Sequence, residues 1–132
     1  MSQNEFILDS YAMLVFLQKE PGYGRVEALL KRAMSGEVKL HISAINMAEV
    51  QYYVIRRGRD AAKILAALEA LPFRVESADS YIPAAVELKA KYGIPLPDCF
   101  AAAVAQDLKC PLVTGDREFR KLGEAVTVEW LR

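Results

Sequence analysis

Short apolar runs alternate with longer stretches of helical periodicity from one end of the chain to the other. Phe6-Ile7-Leu8 is continuous rather than alternating, as expected of a strand covered on both faces, so residues 5–8 read as a short buried strand. Ser10 to Lys19 reads as a helix that Pro21-Gly22 breaks. From Gly24 to Met34, Val26, Leu29, Leu30 and Ala33 recur at i, i+3, i+4, i+7, one core stripe closed by Ser35-Gly36. Val38 to Ile42 is the next strand, and Ser43 caps a long helix that Gly58 stops after Arg57. Asp60 caps a helix from Ala61 to Leu71, striped by Ile64, Leu65, Leu68 and Leu71. Phe73 to Glu76 is a third strand. A helix starting at Asp79 or Ser80 runs to Tyr92, with Pro83 in its first turn and Gly93 at its end. The proline pair in Ile94-Pro95-Leu96-Pro97 predicts a stiff loop. Asp98 to Lys109 is then helix, Pro111 to Thr114 strand, Arg117 to Leu122 a short helix, and Val126 to Trp130 a last strand.

Strands separated by helices imply right-handed βαβ crossovers, hence an α/β fold with a parallel sheet between helical layers. No linker, repeat or low-complexity tract interrupts residues 1–132, which read as one domain. In such sheets ligands bind beyond the carboxyl ends of the strands, where the order of connection reverses.

An apolar share of 53% against 26% charged residues is that of an ordinary globular domain rather than a disordered one. No apolar run approaches the ~18 residues of a membrane span. Met-Ser-Gln-Asn-Glu at the start lacks the layout of a signal peptide, so a cytoplasmic location is expected. Cys99 and Cys110 form no CxxC pair and, with His41 as the sole histidine, supply no zinc set. Any metal site here is an oxygen site. Seventeen basic residues balance 17 acidic ones, which argues against a protein that coats nucleic acid by summed phosphate contacts. Two local basic clusters remain as a candidate rim: Arg56, Arg57 and Arg59 at one helix end, and Arg117, Arg120 and Lys121 after Asp116.

Four carboxylates stand out. Asp9 ends the first apolar run, and Asp116 ends Pro111-Leu112-Val113-Thr114-Gly115. Asp98 opens an alanine-rich helix. Asp9, Asp98 and Asp116 all sit where an aspartate also serves as a helix N-cap, and both readings stand on the residues alone. Glu49 is different, because capping does not account for it. It falls beside Ile45, Ala48 and Tyr52 on the helical wheel, with Met47, Val50 and Val54 as a second apolar flank. A helix apolar on two sides is expected to be sandwiched, and an acid there needs a partner or a cation. If the four converge at one sheet edge, their repulsion calls for a divalent cation. Mg²⁺ or Mn²⁺ suits few carboxylates plus waters, and such an ion activates water for phosphodiester hydrolysis.

At these residues the sequence resembles the PIN-domain ribonucleases, most closely the VapC-type toxins of toxin–antitoxin pairs, over nearly its whole length. The pieces are Ile7-Leu8-Asp9-Ser10, Ser43-Ala44-Ile45-Asn46-Met47-Ala48-Glu49, Leu96-Pro97-Asp98 with Ala101-Ala102-Ala103, and Leu112-Val113-Thr114-Gly115-Asp116-Arg117-Glu118-Phe119. Singly they are weak motifs; in this order and spacing they are specific. The resemblance implies a three-layer α/β/α sandwich with a short parallel sheet and a metal-dependent endoribonuclease. It implies Asp9, Glu49, Asp98 and Asp116 as the catalytic acids around Mg²⁺ or Mn²⁺. Ser10, Thr114 and Asn46 match supporting positions that orient water or carboxylates, and Glu118 assists. An RNA substrate, a homodimer and an antitoxin that covers the active-site groove are implied too, and the second apolar flank of the Glu49 helix with the nearby helix of Ile64 and Leu68 offers a surface for the dimer. Two rivals remain: a PIN fold used for RNA processing or as a non-catalytic RNA-binding module, and a receiver-like signalling domain. The receiver is disfavoured by a lone Asp9 where an acidic pair is expected and by the absence of a lysine after the last strand.

Overall fold

A computed structural model describes residues 4–58 and 60–132. In chain order the elements are β1 (Glu5–Leu8), α1 (Ser10–Leu17), α2 (Tyr23–Met34), β2 (Lys39–Ser43), α3 (Ala44–Arg57), α4 (Ala61–Glu69) and β3 (Phe73–Glu76). They continue as α5 (Ile82–Tyr92), α6 (Leu96–Leu108), β4 (Leu112–Thr114) and β5 (Val128–Trp130), with 3₁₀ turns over Asp79–Tyr81 and Arg117–Ala125. Every strand pairs in parallel, in the order β3-β2-β1-β4-β5.

Alternation along β1 shows why its apolar run is unbroken. Phe6 and Leu8 pack into the core under α1 to α4, whereas Ile7 faces the core under α5 and α6. Helices therefore cover both faces, and the expected three layers form. The chain steps from β1 outward to β2 and β3, then crosses back over the other face to place β4 on the free side of β1. That reversal lies between β1 and β4, so Asp9 and Asp116 follow neighbouring strands.

Helix ends follow their local chemistry. The Ser43 hydroxyl accepts from Ile45 N at 3.2 Å, and Gly58 closes α3 in the left-handed region at φ 76°. Three expectations need correction. Asp60 makes no capping bond; it turns the chain itself with φ 52°. The proline loop is shorter than expected, because Leu96 and Pro97 already belong to α6. Pro97 lies in the first turn, where its missing N–H costs no helical hydrogen bond. The last helical segment is a 3₁₀ turn with a break at Gly123 (φ 54°, ψ −124°).

The expectation that α3 is sandwiched holds only for its first turn, where Ile45 packs against the core under α5 and α6. Val50 and Val54 are buried in the chain's own core, but Tyr52 is 61% and Ile55 58% exposed. Beyond that first turn burial takes one side of α3, and Glu49 is half-buried at its margin. No helix among the described residues is long and apolar enough to cross a membrane. Cys99 and Cys110 are buried free thiols, and burial pushes Cys110 up to about 11.

Away from the sheet's carboxyl edge, buried His41 on β2 links three strands. Its Nε2 lies 2.9 Å from Glu5 Oε1 on β1 and its Nδ1 2.8 Å from Glu76 Oε2 on β3. Replacing His41 with leucine removes the shared partner of two carboxylates. The variant is expected to lose about 1–3 kcal/mol of stability in urea unfolding. An unchanged midpoint would show that this link adds nothing to the sheet.

Candidate active site

Four chain segments reach the carboxyl edge of the sheet at the β1–β4 boundary. β1 and β4 end there, α3 starts there directly after β2, and α6, running back antiparallel to the strands, also presents its N-terminus. Each delivers one of the acids singled out in the sequence.

Asp9 is almost fully buried, at 1% exposure, and both of its oxygens are engaged. Oδ1 accepts from Ala12 N at 2.9 Å, so Asp9 does cap α1. Oδ2 accepts from the Thr114 hydroxyl at 2.6 Å across the strand boundary. That hydroxyl also accepts from Asp116 N at 3.0 Å. One threonine thereby ties the two strand-end acids together. Asp116 is half-buried, and its Oδ1 caps the following turn by accepting from Glu118 N at 3.0 Å.

Asp98 behaves otherwise. Because α6 begins at Leu96, Asp98 occupies the third helical position and makes no capping bond. It is buried, with Oδ2 lacking any hydrogen-bond partner. Its site in the first turn of α6 is favoured by the helix dipole, but nothing saturates its oxygens. Glu49 Oε1 accepts from the Ser10 hydroxyl at 2.9 Å and from Asn46 Nδ2 at 3.2 Å. Asn46 Nδ2 also reaches the Pro97 carbonyl at 3.3 Å, fastening α3 to the start of α6. The sequence carries no signal for that link, since any residue offers a backbone carbonyl.

The electrostatics follow from this geometry. Burial, reinforced by Asp98 and Asp116 and opposed by the bonds from Thr114 and Ala12, pushes Asp9 from 3.8 up to about 7. Burial, then the charges of Asp116, Glu49 and Glu118, pushes Asp98 up to about 7 as well. The carboxylates thus feel one another, yet among the described residues no three His, Cys, Asp or Glu side chains stand close enough to form a ready ligand shell. Both statements hold together, because charge repulsion reaches well beyond contact distance while ligation does not. The set is open and electron-rich, with one unsatisfied buried oxygen at Asp98. That suits a hard divalent ion retaining several waters better than a closed protein cage.

Of the basic residues, Arg117, Arg120 and Lys121 follow Asp116 in the chain and are exposed. Lys121 pairs with Glu118 at 3.2 Å, and the Arg120 guanidinium lies 5.8 Å from the Trp130 ring. Arg56 and Arg57 lie at the far end of α3, about 12 Å along the axis from Glu49. Arg59 falls outside the described residues.

A family model described as PIN domain matches residues 6–125. No curated protein matches the sequence. Among solved structures, the chain is similar to the DNA-bound VapBC of Salmonella typhimurium, with a TM-score of 0.70 at 19% identity over 97% of this chain and 98% of that one. It is similar to VapBC2 from Rickettsia felis bound to a promoter DNA fragment, with a TM-score of 0.68 at 20% identity over 95% and 97%. FitAcB from Neisseria gonorrhoeae gives 0.64 at 20% identity over 96% and 97%. At these identities the likeness is one of fold.

Asp9 and Asp98 hold a proton more tightly folded than unfolded, so they favour folding below about pH 4 and lose that contribution as pH rises toward 7. Metal-free protein is therefore expected to melt lower at pH 8 than at pH 5, by the equivalent of roughly 2–4 kcal/mol. Adding Mg²⁺ at pH 8 should recover most of the loss. A melting temperature that is flat with pH in EDTA would sink the account of repelling carboxylates.

Proposed function

The chain belongs to the PIN domain family, and on that premise we propose that it is a metal-dependent endoribonuclease, the toxin of a VapBC-type toxin–antitoxin pair acting in the cytoplasm. The observation that carries this reading is the group of Asp9, Asp98 and Asp116, drawn together from three separate segments and left mutually repelling, with Asp98 Oδ2 unsatisfied. Capping accounts for one oxygen each of Asp9 and Asp116, but the mutual repulsion of the three acids and the unpaired oxygen of Asp98 cost stability that a bound cation would offset.

Asp9, Glu49, Asp98 and Asp116 are the residues that would hold Mg²⁺ or Mn²⁺. When bound, the ion supplies charge neutralisation at the scissile phosphate and a more acidic water. The chain's own groups do the rest. Thr114 fixes the Asp9 carboxylate and the Asp116 backbone with a single hydroxyl. Ser10 and Asn46 both donate to Oε1 of Glu49, and so fix its carboxylate while leaving the other oxygen without a protein donor among the described residues. Glu118 adds negative charge near Asp98 and keeps Lys121 close by. Arg117, Arg120 and Lys121 form a rim suited to phosphate contacts, which position an RNA strand without reading its sequence. Arg56, Arg57 and Arg59 belong to a more distant part of the same proposal.

The partner reading rests on the VapBC structures and the Klebsiella pneumoniae toxin–antitoxin complex that share the fold. An antitoxin segment covering the acids would block both cation and RNA. For a homodimer, the apolar flank of Met47, Val50 and Val54 no longer serves, because it is largely used within the chain, and Leu68 of α4 is buried as well. Exposed Tyr52 and Ile55 on α3 take its place as the motive for self-association.

Purified chain freed of any partner is expected to cleave RNA with Mg²⁺ or Mn²⁺ and to stop with EDTA. Asp98→Asn and Asp116→Asn should each lower kcat by at least about 100-fold, equivalent to ~2.7 kcal/mol of transition-state stabilisation. Variants that cut as well as the parent would refute the site, and RNA binding without cutting would favour the non-catalytic module. Light scattering should give twice the chain mass at micromolar concentration; a monomer there would count against the dimer.

A further inference from the structure

Gly115 sits between Thr114 and Asp116, yet its φ lies outside the left-handed region, so no strained backbone calls for a glycine. Space does. A Cβ at Gly115 would lie 2.6 Å from Tyr11 Cε1 and 3.3 Å from its Cδ1 and Cζ. Tyr11 stands in the first turn of α1, two residues after Asp9, and the Cε1 edge of its ring occupies the space that a side chain at Gly115 would need.

This contact completes a frame. Thr114 N and O belong to β4, with Leu131 N donating to its carbonyl at 3.0 Å, and the Thr114 hydroxyl holds Asp9 and the Asp116 N–H. Beyond Thr114 the chain leaves the sheet for a 3₁₀ turn, and Asp116 is only half-buried. Its like charge relative to Asp9 and Asp98 drives it outward. A rigid ring whose edge fills the space beside a residue without a side chain resists that drift more sharply than a flexible side chain would, because the ring has few internal rotations with which to yield.

We infer that Tyr11 is a positioning residue whose ring, resting on Gly115, sets the separation of the Asp116 carboxylate from Asp9 across the β1–β4 boundary. The contact itself is independent of function; its consequence for cation binding rests on the metal-nuclease reading above. The rival reading is that Tyr11 merely fills the margin of the core, in which case its loss lowers stability and nothing else.

The test is calorimetric titration of Mn²⁺ into the full chain, together with melting temperature and RNA cleavage. Tyr11→Phe keeps the ring and is expected to bind Mn²⁺ within about twofold of the parent. Tyr11→Ala and Tyr11→Leu should weaken Mn²⁺ by about tenfold or more, the usual scale for removing an outer support of a metal ligand. Gly115→Ala should weaken it too, by forcing the ring away. In the Tyr11→Ala background, Gly115→Ala should add no further loss in affinity or melting temperature, since the added methyl no longer meets a ring. Tyr11→Ala and Tyr11→Leu variants that melt lower but bind Mn²⁺ like the parent would overturn the proposal in favour of plain packing. A parent that neither binds Mn²⁺ nor cuts RNA would instead overturn the metal-nuclease reading and the positioning role with it, a pattern distinct from parental binding with insensitive variants.

Discussion

Burying two carboxylates that face a third requires compensation, and Asp9, Asp98 and Asp116 receive it unequally. Asp9 has a hydroxyl and a backbone amide, and Asp116 has a backbone amide and partial exposure to water. Asp98 has an oxygen with no partner at all. Since each charge raises the cost of the others, the carboxyl edge of this sheet is held together against its own repulsion. The surrounding structure reads as the means of doing so. Thr114 bridges two of the acids, Ser10 and Asn46 secure Glu49, and Asn46 binds α3 to the first turn of α6.

Sheet topology supplies what side chains alone do not. Only when the connection reverses between β1 and β4 do Asp9 and Asp116 become neighbours despite 106 intervening residues' worth of folding elsewhere in the chain. The same reversal puts α5 and α6 on the face opposite α1 to α4, so that the N-terminus of α6 meets that of α3 at the same edge. The alanines of α6 contribute here. Ala101, Ala102, Ala103 and Ala105 are all buried, and small side chains let the helix lie close over the sheet.

Some of the site was legible because its residues had no better local explanation. Glu49 has the partners that its position calls for, two donors, although α3 is sandwiched only at its first turn, where Ile45 packs, while Tyr52 faces outward. For Asp9 and Asp116 the capping alternative was also true, one oxygen of each serving the backbone. A carboxylate has enough lone pairs for both tasks, so the two readings never excluded one another. Asp98 was settled by a detail the proline pair concealed. Two prolines close together suggested a loop, but one ends it and the other enters the helix, which moves Asp98 past the capping position.

The sequence by itself determined the order of strands and helices, the burial of β1 on both faces and the four acids worth following, because these rest on local periodicity and on residue types out of place. Tertiary structure alone decided that β4 lies beside β1, that Asp98 keeps a free oxygen, and that Tyr11 occupies the space above Gly115. Those are relations between segments far apart in the chain, set by crossover handedness and by the volume of side chains that meet only once the sheet has closed.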